Sequence, residues 1–333
     1  MKEKRYERID KTVPDCELIN LSIIIPVLNE AESIPRLYSK LKGVLDNLNL
    51  GYEILFIDDG STDNSSIILE ELYNKDEHAK VIQFRKNFGK ATALSVGFKH
   101  AKGDIVITMD GDLQDDPEEI PTFIDKINEG YDLIVGWKFQ RKDPITKTLP
   151  SKIFNKLTAS LTRVKIHDFN CGFKAYRKEV TKNIEVYGEL HRYIPALAYW
   201  KGYHIGEIKV KHHARKHGKS KYGSSRLVKG FLDLLTVKFL MSFTKKPLHL
   251  FGTIGLLFLS VGFMIDLYLM ILHILFLLGG PVEYEIRDRP LLLLGILLMV
   301  SGVQLISIGL IGEMIASKNQ KDDEETIIKE KLG

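Results

Sequence analysis

The chain has 333 residues, of which 44% are hydrophobic and 27% charged, and its formal net charge is only +4. That is enough for a substantial soluble core plus a second part. Two lone cysteines, Cys16 and Cys171, exclude a disulfide scaffold and have no metal-ligand spacing, which points to a reducing compartment for the soluble part.

The start, "MKEKRYERIDK", has no apolar run behind it, so no cleavable signal peptide is expected. Five short β-branched runs follow: "LSIIIPVL" (21–28), "YEILFIDD" (52–59), "KVIQF" (80–84), "DIVITMD" (104–110) and "YDLIVGW" (131–137). Amphipathic helical patterns lie between most of them, from "ESIPRLYSKLKGVLDNL" to "PEEIPTFIDKINEG". Strand and helix alternating in this way predict a parallel sheet covered by helices on both faces. Ligands of such sheets bind beyond the carboxyl ends of the strands, where "PVLNE", "DDGSTD" and "DGDLQ" fall.

After about Gly188 the pattern changes. Between Lys201 and Lys246 there are twelve Lys/Arg against two acids, a local balance of about +10 that calls for an anionic partner. The stretch "SRLVKGFLDLLTVKFLMSF" (225–243) keeps a polar stripe at Arg226, Lys229, Asp233 and Thr236. It reads as a helix at a lipid interface, with a core helix as the other reading. Leu248–Leu278 is almost wholly apolar, interrupted by Asp266 and His273, and Leu291–Ile311 has no charge. Each is long enough to cross a hydrocarbon core. The basic flanks "TKKP" and "ASKNQK" put both termini in the cytoplasm. Asp266 is expected to be buried against a partner, in another subunit or protonated, and the spans offer a surface for homo-oligomers.

The segment "VITMDGDLQDDPEEI" crowds six acids at one strand end. Four have a structural explanation: Asp116 as N-cap, Glu119 three residues on, and Asp115 and Glu118 at the positive end of the helix dipole. Asp110 and Asp112 do not. Two apart on an extended backbone, they point the same way and repel unless a cation sits between them. Oxygen ligands of this kind suit Mg²⁺ or Mn²⁺ bridging to substrate phosphates, with Gln114 following. "FGKAT" and "HGKSK" lack the rest of a phosphate-binding P-loop, no G-x-G-x-x-G follows the first strand, and "DGDLQD" lacks EF-hand spacing.

The segments "LSIIIPVLNEAESI", "ILFIDDGSTDNS", "RKNFGKATAL" and "VITMDGDLQDDPE" resemble the signatures of family 2 inverting glycosyltransferases with the GT-A fold. "LPSKIFNKL", "HDFNCGFKAYR", "YGELHRYIPALA" and "KHHARKHGKSKYG", followed by two spans, are similar to polyprenyl-phosphate glycosyltransferases of the bactoprenol glucosyltransferase and dolichol-phosphate mannose synthase type. The likeness covers roughly residues 20 to 315. It implies a Rossmann-like, mostly parallel catalytic domain at 21–224 after an extension at 1–20, an interfacial helix at 225–246, two spans within 247–317 and a tail at 318–333.

The same resemblance implies roles. Pro26, Glu30, Asp58 and Asp59 line the nucleotide pocket, Asp58 reading the base edge; alternatively, Pro26 only ends a strand and Asp59 with Gly60 and Ser61 only forms a turn. Lys90 either touches a phosphate or only begins a helix. Asp110 contacts the nucleotide sugar, and Asp112 and Gln114, with Asp110, hold the metal on the diphosphate. Asp168 is the base of the inverting transfer or, alternatively, a loop-capping residue. A phosphate monoester acceptor is already mostly dianionic near neutral pH and brings its own nucleophilic oxygen. Such a site needs cations, and Lys138, Arg141, Arg215, Lys219 and Lys221 are assigned to the acceptor and diphosphate. The basic strip can also attract anionic lipid; nucleic acid is not an expected partner. The expected reaction moves a sugar from a nucleotide sugar, UDP-glucose by default, to undecaprenyl phosphate. A polysaccharide synthase and a non-catalytic sugar-nucleotide-binding subunit are the alternatives.

Overall fold

The computed structural model describes residues 19–139, 155–162, 164–188, 190–213, 234, 236–239, 246–279 and 290–319. Arg141, Arg215, Lys219 and Lys221 lie outside the described residues, as do the first eighteen residues, most of the span connector and the tail. The described residues fall into two compact units, one ending at Lys238 and the other beginning at Phe239.

In the first unit seven strands form one sheet, β1 (Leu21–Val27), β2 (Tyr52–Asp58), β3 (Ala79–Gln83), β4 (Ile105–Thr108), β5 (Leu133–Lys138), β6 (Lys174–Arg177) and β7 (Ile205–Val210). Their order is β3-β2-β1-β4-β6-β5-β7. β1 is parallel to both β2 and β4, β2 to β3, and β5 to β7. The central runs are apolar throughout because both faces are covered; Ile23, Ile24, Ile25, Ile54, Phe56 and Ile57 have almost no exposed surface.

Four helices fill the crossovers, α1 (Ile34–Leu45), α2 (Ser65–Lys75), α3 (Lys90–His100) and α4 (Ile120–Asn128). α1 buries Ile34, Leu37, Leu41 and Leu45, a helical stripe laid on the sheet. α3 comes closer still: a β-carbon on Gly97 would fall 2.5 Å from the Ile24 side chain.

β6 departs from the strand-and-helix alternation. It runs antiparallel between β4 and β5, with Thr108 opposite Lys174 on one side and Val135 opposite Lys174 on the other. Since β6 starts where β4 ends, the residues just before it, 168–173, are delivered to the carboxyl end of β4.

Of the stretch expected at the lipid interface, Leu234 and residues 236–239 are helical. Leu234 and Val237 are buried there, so at those two positions the apolar stripe is covered by protein.

The second unit holds two helices, Pro247–Leu277 and Pro290–Asn319. Their apolar stretches, Pro247–Leu277 and Pro290–Ala316, contain 18-residue segments of mean hydropathy 2.2 and 2.5 and are long enough to cross a membrane. They meet through glycines spaced seven apart. A β-carbon on Gly255 would lie 2.6 Å from the Gly302 carbonyl oxygen, and one on Gly262 would lie 2.5 Å from that of Gly295. The backbones approach this closely because no side chain intervenes. Asp266 lies against Gly295 in the same seam.

Candidate active site

The strand register brings three loops together. Val27 pairs with Asp58, and Ile24 with Thr108, so "PVLNE", "DDGSTD" and "DGDLQ" leave the sheet side by side. Met109 N–H continues the ladder to Ile24 O at 3.1 Å.

The first two loops are tied to each other. Asn29 Oδ1 accepts from Thr62 N–H at 2.7 Å, and Asn29 N–H donates to Ser61 Oγ at 3.0 Å. Asp58 accepts from Ser61 N–H at 2.9 Å and from Ser66 Oγ at 2.6 Å, so its carboxylate organises its own turn. Asp59 accepts from Phe88 N–H at 2.7 Å and Gly89 N–H at 2.9 Å, anchoring the start of α3. Burial pushes the Asp59 carboxyl up, partly offset by those two N–H groups. Gly60 makes this junction possible: its φ is +73°, and a β-carbon would fall 2.4 Å from the Lys86 backbone. Glu30 receives a 3.3 Å hydrogen bond from Ser33 Oγ at the start of α1, and Pro26 sits within β1 opposite Ile57.

The acidic run now divides differently from the helix-dipole expectation. Asp116 does cap the turn, accepting from Glu118 N–H at 3.3 Å, and also pairs with His213 Nε2 at 3.1 Å. Asp115 does not serve the dipole. Its buried carboxylate pairs with Lys138 Nζ at 2.9 Å, and the Lys138 side chain is only 11% exposed. Burial disfavours the Lys138 ammonium, but Asp115, then Cys171 and Asp110, more than compensate and hold its pKa above the ordinary lysine range. Lys138, assigned from the sequence to the acceptor phosphate, is thus engaged with Asp115.

Asp110 and Asp112 point elsewhere. Asp110 is ion-paired with Lys90, the first residue of α3, so Lys90 both opens a helix and reaches the site. Burial pushes the Asp110 carboxyl up, but Lys90, Lys138 and Lys174 outweigh it and hold the group well below the usual carboxylate range. Asp112 accepts from Gln114 N–H at 3.1 Å. Gln114 in turn bonds to His213 through both its backbone oxygen, at 3.0 Å, and its side-chain amide, at 3.4 Å. Between them Leu113 takes φ +61°, a left-handed turn that a branched side chain seldom adopts and that recurs at ligand sites. Among the described residues no group of three or more His, Cys, Asp or Glu side chains could hold a metal alone. The Asp110 and Asp112 carboxylates are hard oxygen donors of the kind a divalent cation takes when substrate phosphates complete its shell.

The loop delivered by β6 supplies the far wall. Asp168 is buried, and its Oδ1 accepts from Asn170 N–H at 3.1 Å, the loop-capping geometry weighed from the sequence. Thr108 Oγ1 donates to Gly172 O at 2.8 Å. Lys174 Nζ donates to Cys171 O, and burial pushes the Cys171 thiol up to about 12, which makes it inert. A cavity of about 150 Å³ lies here, with Lys90, Asp110, Gly172, Lys174, His191 and Arg192 in its wall. The sequence reading assigned no role to Lys174, His191 or Arg192. One signal was available for Lys174: in "FKAYR" it shares a strand face with Tyr176, a lysine on an otherwise apolar face.

Residues 22–185 match the family described as glycosyl transferase family 2. A relative matching nearly end to end, dodecaprenyl-phosphate galacturonate synthase of Rhizobium johnstonii, is 37% identical over 325 residues, covering 95% of this chain and 94% of the relative. The chain belongs to glycosyl transferase family 2. Within this family it is also 38% identical over 296 residues to undecaprenyl-phosphate 4-deoxy-4-formamido-L-arabinose transferase of Shewanella sediminis, covering 89% of this chain and 86% of that one. Both family members are polyprenyl-phosphate glycosyltransferases by name. Among solved structures, glucosyl-3-phosphoglycerate synthase from Mycobacterium tuberculosis in complex with Mn²⁺, UDP and phosphoglyceric acid aligns with a TM-score of 0.55 at 18% identity. That alignment covers 66% of this chain and 78% of that one. The same enzyme with Mn²⁺ and UDP-glucose aligns at 0.53. At such identity the likeness concerns the fold, and it makes the seven-stranded sheet a GT-A sheet.

Proposed function

We propose that this enzyme transfers a sugar from a nucleotide sugar to the phosphate of a membrane polyprenyl phosphate, with inversion at the anomeric carbon. The observation that carries the reading is the placement of Asp110 and Asp112 at the carboxyl end of β4, beside the loops from β1 and β2, in a chain that also has two helices able to span a membrane. Its relatives' acceptors, as named, are polyprenyl phosphates.

In this reading Pro26, Glu30, Asp58 and Asp59 frame the nucleotide, which we take to be uridine, and Lys90 faces the donor phosphates. Asp112 and Gln114, with Asp110, would hold Mg²⁺ or Mn²⁺. When bound, that cation neutralises charge on the departing diphosphate. The acceptor's phosphate oxygen attacks the anomeric carbon from the face opposite the diphosphate; the new carbon–oxygen bond forms as the old one breaks, and the nucleoside diphosphate leaves with the bonding pair. A dianionic phosphate carries no proton to remove. Asp168 therefore orients its loop through Asn170, in place of acting as an obligatory base. Arg141, Arg215, Lys219 and Lys221 hold the acceptor. Both termini and the catalytic unit face the cytoplasm, where nucleotide sugars are.

Glucose is the sugar implied by the resemblance to bactoprenol glucosyltransferases, whereas the named relatives handle a uronic acid and a formamido sugar. Kinship alone therefore leaves the sugar open. The test is to incubate the purified enzyme with radiolabelled nucleotide sugars, undecaprenyl phosphate and Mn²⁺. A chloroform-soluble labelled product that releases its sugar in mild acid is expected. Label appearing only in polymer, or none with any donor, would sink the proposal.

A further inference from the structure

Several polar side chains in the wall of the cavity beside Asp110 are engaged with protein. Thr108 Oγ1 donates to Gly172 O at 2.8 Å, Asn170 Nδ2 to Asn155 Oδ1 at 3.3 Å, and Lys174 Nζ to Cys171 O, while Lys90 pairs with Asp110. His191 is different. Its Nδ1 is buried and is the one side-chain atom of this wall that is both buried and without a hydrogen bond among the described residues.

An unpaired buried polar atom destabilises a fold, so such atoms are nearly always satisfied. One that borders a cavity takes its partner from what enters. At about 150 Å³ the cavity is large enough for a six-membered ring. Its wall is mixed: Leu94 and Tyr176 offer apolar surface, Gly172 bare backbone, and Asp110 and His191 hydrogen-bonding groups. A pyranose matches such a wall, because its C–H faces are edged by hydroxyls. Asp112 and Gln114 are not in the wall among the described residues. With metal and diphosphate held by those two, the part of the donor that reaches past Asp110 is its sugar. Burial, then Lys90 and Arg192, hold His191 far below the usual imidazole range, so the ring is neutral and offers a directional hydrogen bond without charge. A hydroxyl both donates and accepts and can meet Nδ1 in either tautomer, whereas a phosphate dianion only accepts.

We infer that His191 binds the donor's sugar, its Nδ1 hydrogen-bonding one ring hydroxyl, and thereby helps to select the sugar and to orient its anomeric carbon. The inference rests on the nucleotide-sugar reading of the Asp110 site. Water alone and an acceptor phosphate oxygen are the other partners open to Nδ1, and the experiment separates them.

The full-length protein in lipid nanodiscs with Mn²⁺ is titrated with UDP, UDP-glucose, UDP-galactose and UDP-galacturonate, then with the monodeoxy forms of whichever sugar binds tightest. In the wild type, removing one particular hydroxyl should weaken binding about three- to tenfold, as expected for an uncharged hydrogen bond. His191→Phe should abolish that penalty at that hydroxyl alone and bind UDP as the wild type does. A merely structural role would not single out one hydroxyl. If His191→Phe does not fold, His191→Ala carries the same comparison. Identical deoxy penalties in variant and wild type overturn the inference and leave Nδ1 to water. An equal loss for UDP and nucleotide sugar also overturns it, as does unchanged donor binding with a raised KM for undecaprenyl phosphate, which assigns Nδ1 to the acceptor. A His191-dependent penalty without transfer to undecaprenyl phosphate refutes the proposed reaction and leaves this contact standing; transfer without such a penalty does the reverse. No nucleotide sugar binding at all overturns both.

Discussion

The Asp110 carboxylate occupies the space a side chain at Gly172 would need: a β-carbon there would fall 2.6 Å from Oδ1 and 2.7 Å from Oδ2. The two residues come from adjacent antiparallel strand ends, and the missing side chain lets the carboxylate lie over the loop backbone. Gly172→Ala should therefore move Asp110, not unfold the sheet. Misplacement of a reacting group by about 1 Å costs on the order of a hundredfold in rate. Transfer should fall by about that factor while the melting temperature changes by only a few degrees. Wild-type turnover in Gly172→Ala would show that Asp110's position is not critical.

Asp112 tests the metal assignment. Asp112→Asn keeps the shape and removes a charge from a pair with no core role. Loss of an outer-shell metal partner already costs about 10- to 100-fold, so a direct ligand should cost no less. Donor turnover should also disappear with EDTA and return with Mn²⁺. Full activity of the variant in chelator would exclude a metal here.

Lys138 and Asp115 separate a structural role from acceptor binding. Removing one member of a buried pair strands the other charge, at a cost of about 3–5 kcal/mol. Asp115→Asn alone should lower stability by that order, while Asp115→Leu combined with Lys138→Met should recover most of it. Chemical denaturation of the two variants and the wild type measures this directly. If the double variant is stable yet has a raised acceptor KM, Lys138 holds the phosphate as well.

Lys174 makes a pH prediction for stability. Its pKa is about 8 in the fold against an ordinary 10.5. Between about 8 and 10.5 the unfolded chain binds the proton and the folded one does not, so this group's contribution to stability rises with pH there. Cys171, pushed up to about 12, stays neutral over that range and leaves the change to Lys174. Chemical denaturation across the range checks this: Lys174→Met should flatten the rise, and a wild-type profile no steeper than the variant's would overturn it.

Membrane topology is checked with reporter fusions at Gly333 and within residues 279–288. Cytoplasmic termini require the two sites to report opposite sides. Reports from the same side would mean that one of the two long apolar helices does not span.

What the chain determined by itself is local. Apolar runs at 21–28, 52–59 and 104–110 specify buried strands, and turn residues at their ends specify where the strands stop, because pleat and turn chemistry act over a few residues. The two-residue spacing of Asp110 and Asp112, the Asp116 cap and the two long apolar helices were legible for the same reason. The partner of a charge is not local. Asp115 and Glu118 looked alike in sequence, and only the sheet showed that Asp115 is buried on Lys138 while Glu118 stands exposed, 3.9 Å from Lys211. Lys174 reaches the cavity beside Asp110 because β6 inserts antiparallel between β4 and β5, and the short turn Leu190–Arg192 brings His191 and Arg192 to the same wall, an arrangement that periodicity cannot encode. The chemistry at the strand end was written in adjacent residues. The charge that surrounds it was decided by strand order, which depends on packing between segments more than 60 residues apart.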